Sequence, residues 1–300
     1  MLTFQLVNYI HFFEKILQRV TQRYIDEMIA VVEYRHIFGC LHDEDGPVSL
    51  EREMAIFTKV YAQFRVMHPL FRMKIIVCGL KIVGKDHIQA MLDAVESATK
   101  MESSTESAYQ MVCGFDMVNE EDYHMKIDEF LPQILAMKIR MGDKFQLYLH
   151  AGESYSRYNK ELYDAVLLGS KRIGHGFALA RCKNLINLVK EKNVCLECCP
   201  VSNRVLGYCS DLRTHPARGL LAQGVKISLS PDDQGFWDAE GVTLDYVLAY
   251  VAWGLDLADI KQLCLNSLEF ASTDEAHKKQ LREFFDYKWY KFLLYIKGRY

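Results

Sequence analysis

Four polar clusters in the 300-residue chain carry side chains able to do chemistry. His150-Ala151-Gly152-Glu153 follows the run Phe145-Gln146-Leu147-Tyr148-Leu149, and Gly174-His175-Gly176 follows Arg172-Ile173. Cys198-Cys199-Pro200-Val201-Ser202-Asn203 follows Val194-Cys195-Leu196-Glu197, and Pro231-Asp232-Asp233 follows Val225-Lys226-Ile227-Ser228-Leu229-Ser230. His150 and a carboxylate of the Asp232-Asp233 pair are of the types that ligate a divalent ion, Glu153 can shuttle protons, and His175 can polarise a bond. Imidazole nitrogen and carboxylate oxygen suit zinc, which lowers the pKa of bound water to about 7 and makes hydroxide available near neutral pH. A neighbouring glutamate then moves the protons. Taken one at a time these residues read as a structural histidine, a turn or a helix cap. Their recurrence after several apolar runs is what predicts metal-assisted hydrolysis.

Apolar or β-branched runs alternate with amphipathic helical stretches such as those from Ile56 to Met67 and from Lys160 to Leu168. Earlier runs are Ala30-Val31-Val32, Lys74-Ile75-Ile76-Val77 and Met111-Val112-Cys113-Gly114-Phe115. Such alternation demands parallel strands joined by right-handed crossovers. No Gly-x-Gly-x-x-Gly follows any run, so a TIM-type (β/α)8 barrel is favoured over a doubly wound sheet. In a barrel, side chains just beyond the strands gather at one mouth. Tyr9, Phe13, Ile16, Val20, Tyr24 and Met28 recur at helical spacing and predict a helix ahead of the first strand. After Ser228 only helical patterns remain, from Leu244 to Trp253 and from Gln280 to Tyr295, so the first strand of the barrel is expected to be the one missing. With six prolines and no linker or repeat, residues 1–300 read as one domain, with 240–300 as its C-terminal helices.

The chain is 50% hydrophobic and 25% charged, with 36 basic against 39 acidic side chains and a net charge of −3. That balance gives no footprint for nucleic acid or an acidic membrane surface. No run reaches the ~18 consecutive apolar residues of a membrane helix. Nine cysteines, an odd number, and the lack of an Asn-x-Ser/Thr sequon argue against a disulfide-built secreted scaffold. The opening thirteen residues, with no charge, lack a basic segment and a small-residue cleavage site. A cytoplasmic location is expected for the chain as it stands, and secretion for a form with a longer N-terminus. Cys195, Cys198 and Cys199 read as buried thiols, and the aromatic stretch from Phe284 to Tyr295 as the core face of a helix, with a homodimer contact as its alternative.

Five segments together resemble the adenosine deaminase family: His150-Ala151-Gly152-Glu153, Arg172-Ile173-Gly174-His175-Gly176, Glu197 to Asn203, Asp211-Leu212-Arg213-Thr214-His215-Pro216, and Ser228 to Asp233. They occur in that family's order. Ser202 to Leu206, the segment from Asp211 to Pro216 and Gly114-Phe115-Asp116-Met117-Val118 are most similar to the adenosine deaminase-related growth factor branch. The resemblance implies a barrel that uses one zinc ion to convert adenosine or deoxyadenosine to inosine and ammonia. It implies His150 and Asp232 as zinc ligands, Glu153 as the acid that protonates the purine ring nitrogen, and His175 and Asp233 as the groups that orient and stabilise the attacking hydroxide. Asp116, Asn119, Gly152 and Asp233 would meet the substrate, Asn119 standing where the family usually has glycine.

The family also carries a His-x-His pair at the end of its first strand, completing the zinc site. None of the ten histidines here is separated from another by a single residue. His36 and His42 follow the first run and read as residues of a solvated loop, not as replacements. With only two of its ligands the site should hold zinc poorly and activity should be impaired. The alternatives are a non-catalytic barrel that binds a nucleoside or a protein partner, and a deaminase of another aminopurine such as adenine, AMP or a methylthio-nucleoside. The expected partner is a small purine nucleoside, with neither nucleic acid nor membrane.

Overall fold

The runs of β-branched residues form strands and the stretches with apolar residues three and four apart form helices, in strict alternation through most of the chain. A computed structural model of the protein describes residues 7–103, 110–239 and 241–299. Its strands are β1 (Val31–His36), β2 (His42–Asp43), β3 (Gly46–Pro47), β4 (Arg72–Leu80), β5 (Val112–Val118), β6 (His150–Ala151), β7 (Arg172–His175), β8 (Cys195–Cys198) and β9 (Lys226–Leu229). Apart from the small antiparallel β2–β3 pair, every ladder is parallel. The ladders run β1-β4-β5 and β6-β7-β8-β9, and a parallel bridge between Phe115 and Leu147 joins the two sheets. The result is an α/β barrel wall whose staves follow chain order. Among the described residues no ladder joins β9 to β1, so the wall is open where a first strand was expected to be missing.

The continuous strand expected from Phe145 to Leu149 is instead irregular: Leu147 makes an isolated bridge to Phe115, and regular strand pairing begins at His150. Ser170 explains the gap. Its hydroxyl accepts the Leu149 N–H at 2.9 Å and lies 2.7 Å from the Arg172 carbonyl, to which it donates, so a side chain takes part of the work of the ladder.

β1 shows how the strand period of two sorts polar groups. Tyr34 and His36 point towards the helices, where the Tyr34 hydroxyl meets Thr21 at 2.8 Å and His36 Nε2 meets Glu53 at 2.6 Å. Glu33 and Arg35 point inward, Glu33 to Arg172 and Arg35 to Asp116 and Glu197. The expectation of a solvated loop at His36 is corrected by this pairing: the ring is buried against Phe57 and Phe38 with Glu53 beneath it.

A cavity of about 1140 Å³ opens between β1 and β9. Val31 and Glu33 line one side, Ser228 and Leu229 the other, with Phe284 and Trp289 of the C-terminal helix Glu275–Lys297 also on its walls. The aromatic stripe of that helix is not a core face, which corrects the sequence expectation. Tyr287, Tyr290, Phe292 and Tyr295 are all more than 40% exposed. Cys195, Cys198 and Cys199 are buried free thiols, as their position in and after a strand predicts, and burial pushes all three up from the usual thiol range. No helix among the described residues is long and apolar enough to cross a membrane.

Candidate active site

β6, β7 and the turn after β9 deliver His150, His175 and Asp232 to one end of the wall. One ligand-type atom from each lies within 4.8 Å of the others, and the two imidazoles are 5.1 Å apart between centroids. The approach depends on Gly174, which pairs with His150 across the β6–β7 ladder: a Cβ there would sit 2.9 Å from His150 Cγ. His175 and Asp232 have φ of 61° and 54°. Each costs about 1–2 kcal/mol for a side chain of this kind, strain that a packed surrounding must sustain and that gathers at functional sites.

Asp116, fully buried on β5, holds His150 in place. Its Oδ2 accepts from His150 Nδ1 at 2.6 Å and from Arg35 Nε at 2.7 Å, while Oδ1 accepts the His150 backbone N–H at 2.8 Å. With Nδ1 engaged, Nε2 is the ligand atom His150 has left to offer, the arrangement usual for a metal-binding imidazole. Burial opposes charge on both partners, but each outweighs that penalty for the other. Asp116 lifts the His150 imidazole to about 9, and His150 with Arg35 holds the Asp116 carboxyl below its ordinary range. Arg35 also reaches Glu197 at 2.7 Å, and Arg172 reaches Glu197 at 2.5 Å and Glu33 beyond it. These opposed charges brace the floor under the site. Burial works against Glu197 too, yet the two guanidiniums hold its carboxyl far below the usual carboxylate range.

Glu153 is placed by a clasp between two loops. Gly152, at φ 81°, and Glu153 donate their backbone N–H groups to the two oxygens of buried Glu121, at 2.9 and 3.0 Å. Leu162 lies so close that a Cβ on Gly152 would be 2.7 Å from its Cδ1. The Glu153 side chain is left with Oε1 buried and without a hydrogen bond, 3.4 Å from His175 Nδ1. Burial, reinforced by Asp232, Glu121 and Asp233 against the pull of His150, pushes its carboxyl up to about 8. A glutamic acid that keeps its proton at neutral pH can give it away. Asp233, exposed at the rim, is raised by desolvation and by Asp232 beside it.

The cavity reaches His150, His175, Asp232 and Asp233, while Asp116, Asn119, Gly152 and Glu153 are outside its lining. Asp116 therefore acts on His150 from behind. Asn119 has φ 128°, a conformation in which glycine is at ease, and its Oδ1 is buried without a partner. Sequence reasoning left Arg35, Arg172, Glu121 and Glu197 without a role. A charged residue within an apolar run, as in Val32-Glu33-Tyr34-Arg35, is the signal that could have found the buried network.

Two substitutions follow from this geometry. Gly174→Ala should push the His150 ring from its seat and weaken zinc binding by about 10–100-fold, the usual cost of disturbing what orients a ligand. Titration with a competing chelator measures it, and unchanged affinity would show that the ring has room. Asn119→Gly should relieve the backbone and the orphaned oxygen, stabilising by about 1 kcal/mol and raising Tm by about 2 °C. A thermal melt that falls instead would mean that Asn119 makes a contact worth more than its strain.

The parallel barrel brings two histidines and an aspartate, side chains of the types that ligate a metal ion, together at its strand ends. The family model for adenosine deaminase matches residues 61–288, and the chain belongs to that family. It is 30% identical to adenosine deaminase 2 of Dictyostelium discoideum over 98% of this chain and 54% of that protein. Against adenosine deaminase 2 of Homo sapiens identity is 28%, over 96% of this chain and 57% of the relative. The chain thus spans about half the length of the curated relatives it matches. Among solved structures, an adenine deaminase from Arthrobacter aurescens superimposes with a TM-score of 0.77 at 17% identity, covering 93% of this chain and 80% of that one. An amidohydrolase from Burkhoderia ambifaria, solved with bound zinc, gives 0.77 at 17% identity over 91% of this chain and 71% of that one. These likenesses establish the TIM-barrel fold.

Proposed function

We propose that this chain carries the greater part of a zinc-dependent site for hydrolytic deamination of adenosine or deoxyadenosine, giving inosine and ammonia, and that the 300 residues alone are impaired. The observation that carries this reading is the gathering of His150, His175 and Asp232 at one mouth, with the buried Glu153 carboxyl beside His175. The donor types suit zinc: His150 would offer Nε2 and Asp232 an oxygen. They fall short of the three protein ligands that a catalytic zinc takes besides water. When bound, zinc supplies water that loses a proton near neutral pH.

The remaining steps belong to the chain's own side chains. Glu153 holds a proton at its carboxyl and delivers it to the purine ring nitrogen beside the reacting carbon, which makes that carbon electrophilic. His175 and Asp233 face the incoming oxygen and accept or give hydrogen bonds as charge develops. Asp116 keeps His150 from turning. Because the acid form of Glu153 is the one that acts, kcat should fall as pH rises through about 8. A pH–rate profile flat to pH 10 would remove Glu153 from the acid's role.

The test is a form extended at its N-terminus to close the wall, loaded with zinc and given adenosine. Inosine formation is expected; none by a folded protein with stoichiometric zinc would falsify the reading. The short ligand set and the open seam also favour a second reading, a non-catalytic barrel that binds a nucleoside or a protein partner. Stoichiometric zinc in the purified 300-residue chain would count against it. Similarity to solved deaminases of adenine and of N6-methyl-AMP makes the choice of aminopurine a further question, decided by screening purines for ammonia release.

A further inference from the structure

His175 has two ring nitrogens, and its role depends on which carries the proton. A lone pair at Nε2 would make it a metal ligand; an N–H there would make it a hydrogen-bond donor. Two residues behind it decide. His215, at the start of the helix Pro216–Ala222, accepts the Ala217 backbone N–H at its Nδ1, 3.1 Å away. An amide N–H can only donate, so Nδ1 is a lone pair, and a neutral His215 must carry its proton on Nε2. Burial keeps that ring neutral by lowering it to about 4.

His215 Nε2 lies 3.0 Å from Asn203 Oδ1 and donates to it. That bond fixes the amide: if Asn203 were turned over, its NH2 would face the one N–H of His215, donor against donor. The NH2 of Asn203 is therefore directed at His175 Nδ1, 3.2 Å away, and Nδ1 must accept. By the same count the proton of neutral His175 sits on Nε2, the nitrogen that lies 3.9 Å from Asp232 Oδ2. Glu153 Oε1 lies farther from that nitrogen, at 3.4 Å, and makes no hydrogen bond.

The surroundings leave these groups little freedom. Asn203, His215 and His175 are at most 4% exposed. Phe177 meets His215 edge-on and Trp253 packs beside it, with the Trp253 indole N–H donated to the Leu212 carbonyl at 3.0 Å.

We infer that His215 and Asn203 are positioning residues that set the tautomer of His175, presenting an Nε2–H to the mouth and making His175 a hydrogen-bond donor to the reacting oxygen instead of a metal ligand. The assignment of that donor to a reaction rests on the function proposed above; the tautomer does not. The site then draws two ligands from the residues described here, even though three ligand-type side chains meet.

The experiment is a long-range proton–nitrogen correlation spectrum of the ¹⁵N-histidine-labelled, metal-free 300-residue chain near neutral pH, which separates the two tautomers without any turnover. His175 and His215 should both show the Nε2–H pattern. An Nδ1–H pattern at His175 in the unaltered chain would overturn the inference. Asn203→Asp replaces the donating NH2 by an oxygen, and the expected result is inversion of His175 to Nδ1–H. His215→Gln keeps a donor to Asn203 and should leave His175 as it was. If both variants leave His175 unchanged, the relay does not set the tautomer. In the zinc-loaded extended form, Asn203→Asp should lower kcat about tenfold or more with KM little changed. The predicted tautomers in a protein that deaminates nothing would sink the functional reading alone.

Discussion

Replacing Glu153 with glutamine is expected to reduce kcat by about 10²–10⁴-fold in the zinc-loaded, N-terminally extended form, the span that a positioned proton donor is worth. The side chains are nearly the same size and Glu121 holds the backbone at this position in either case, so the fold should be preserved. What is lost is a transferable proton. A stability measurement separates the chemical loss from a structural one. The folded pKa of about 8 is raised from the ordinary 4.5 by burial, so the group favours the fold fully only below 4.5, and that contribution is lost as pH rises through about 8. Glutamine never ionises. The variant should therefore melt at or above the temperature of the parent at pH 9, while its turnover is lost at every pH. Parental turnover in a folded Gln variant would mean that another group supplies the proton.

The second large effect concerns the metal. Structural zinc sites with four protein ligands bind with about 10–16 kcal/mol at neutral pH, or roughly 3 kcal/mol for each ligand. A site built from His150 and Asp232 lacks at least one of the three protein ligands expected of a catalytic centre. Supplying a His-x-His strand in the seam between β1 and β9 would add two imidazoles, and the affinity should rise by roughly 10⁴-fold by the same measure. Chelator competition on the 300-residue chain and on the extended form gives both values. Equal affinities would show either that the seam does not admit the strand or that His175 ligates after all, and the His175 tautomer distinguishes those outcomes.

Much of this arrangement was legible in the sequence because parallel barrels put chemistry at strand ends. His150, His175 and Asp232 each follow an apolar run: His150 opens the two-residue β6, His175 closes β7, and Asp232 lies just after β9. The open wall was also legible, since counting runs needs no contacts. What could not be read was pairing at long range. Arg35 meets Asp116 across 81 positions and Glu197 across 162, and no local period encodes such a meeting. The same holds for His36, whose partner Glu53 lies on the next helix and turns an expected loop residue into a buried one. The exposed aromatic residues near the C-terminus mark the opposite limit: helical spacing identifies a stripe, and it does not say what the stripe will face.

The gap in the wall has a direction. Its two borders, β1 and β9, both belong to parallel ladders and run the same way, carrying their C-terminal ends towards the mouth. An incoming segment that ran with them would set its last residues beside His150 and Asp232; one that ran against them would leave those residues at the far rim. Backbone hydrogen bonds could form in either orientation, but only one brings new imidazoles to the ion. The notch therefore acts as a polarity filter, and a graft of identical composition with its sequence reversed should fill the space and rescue nothing.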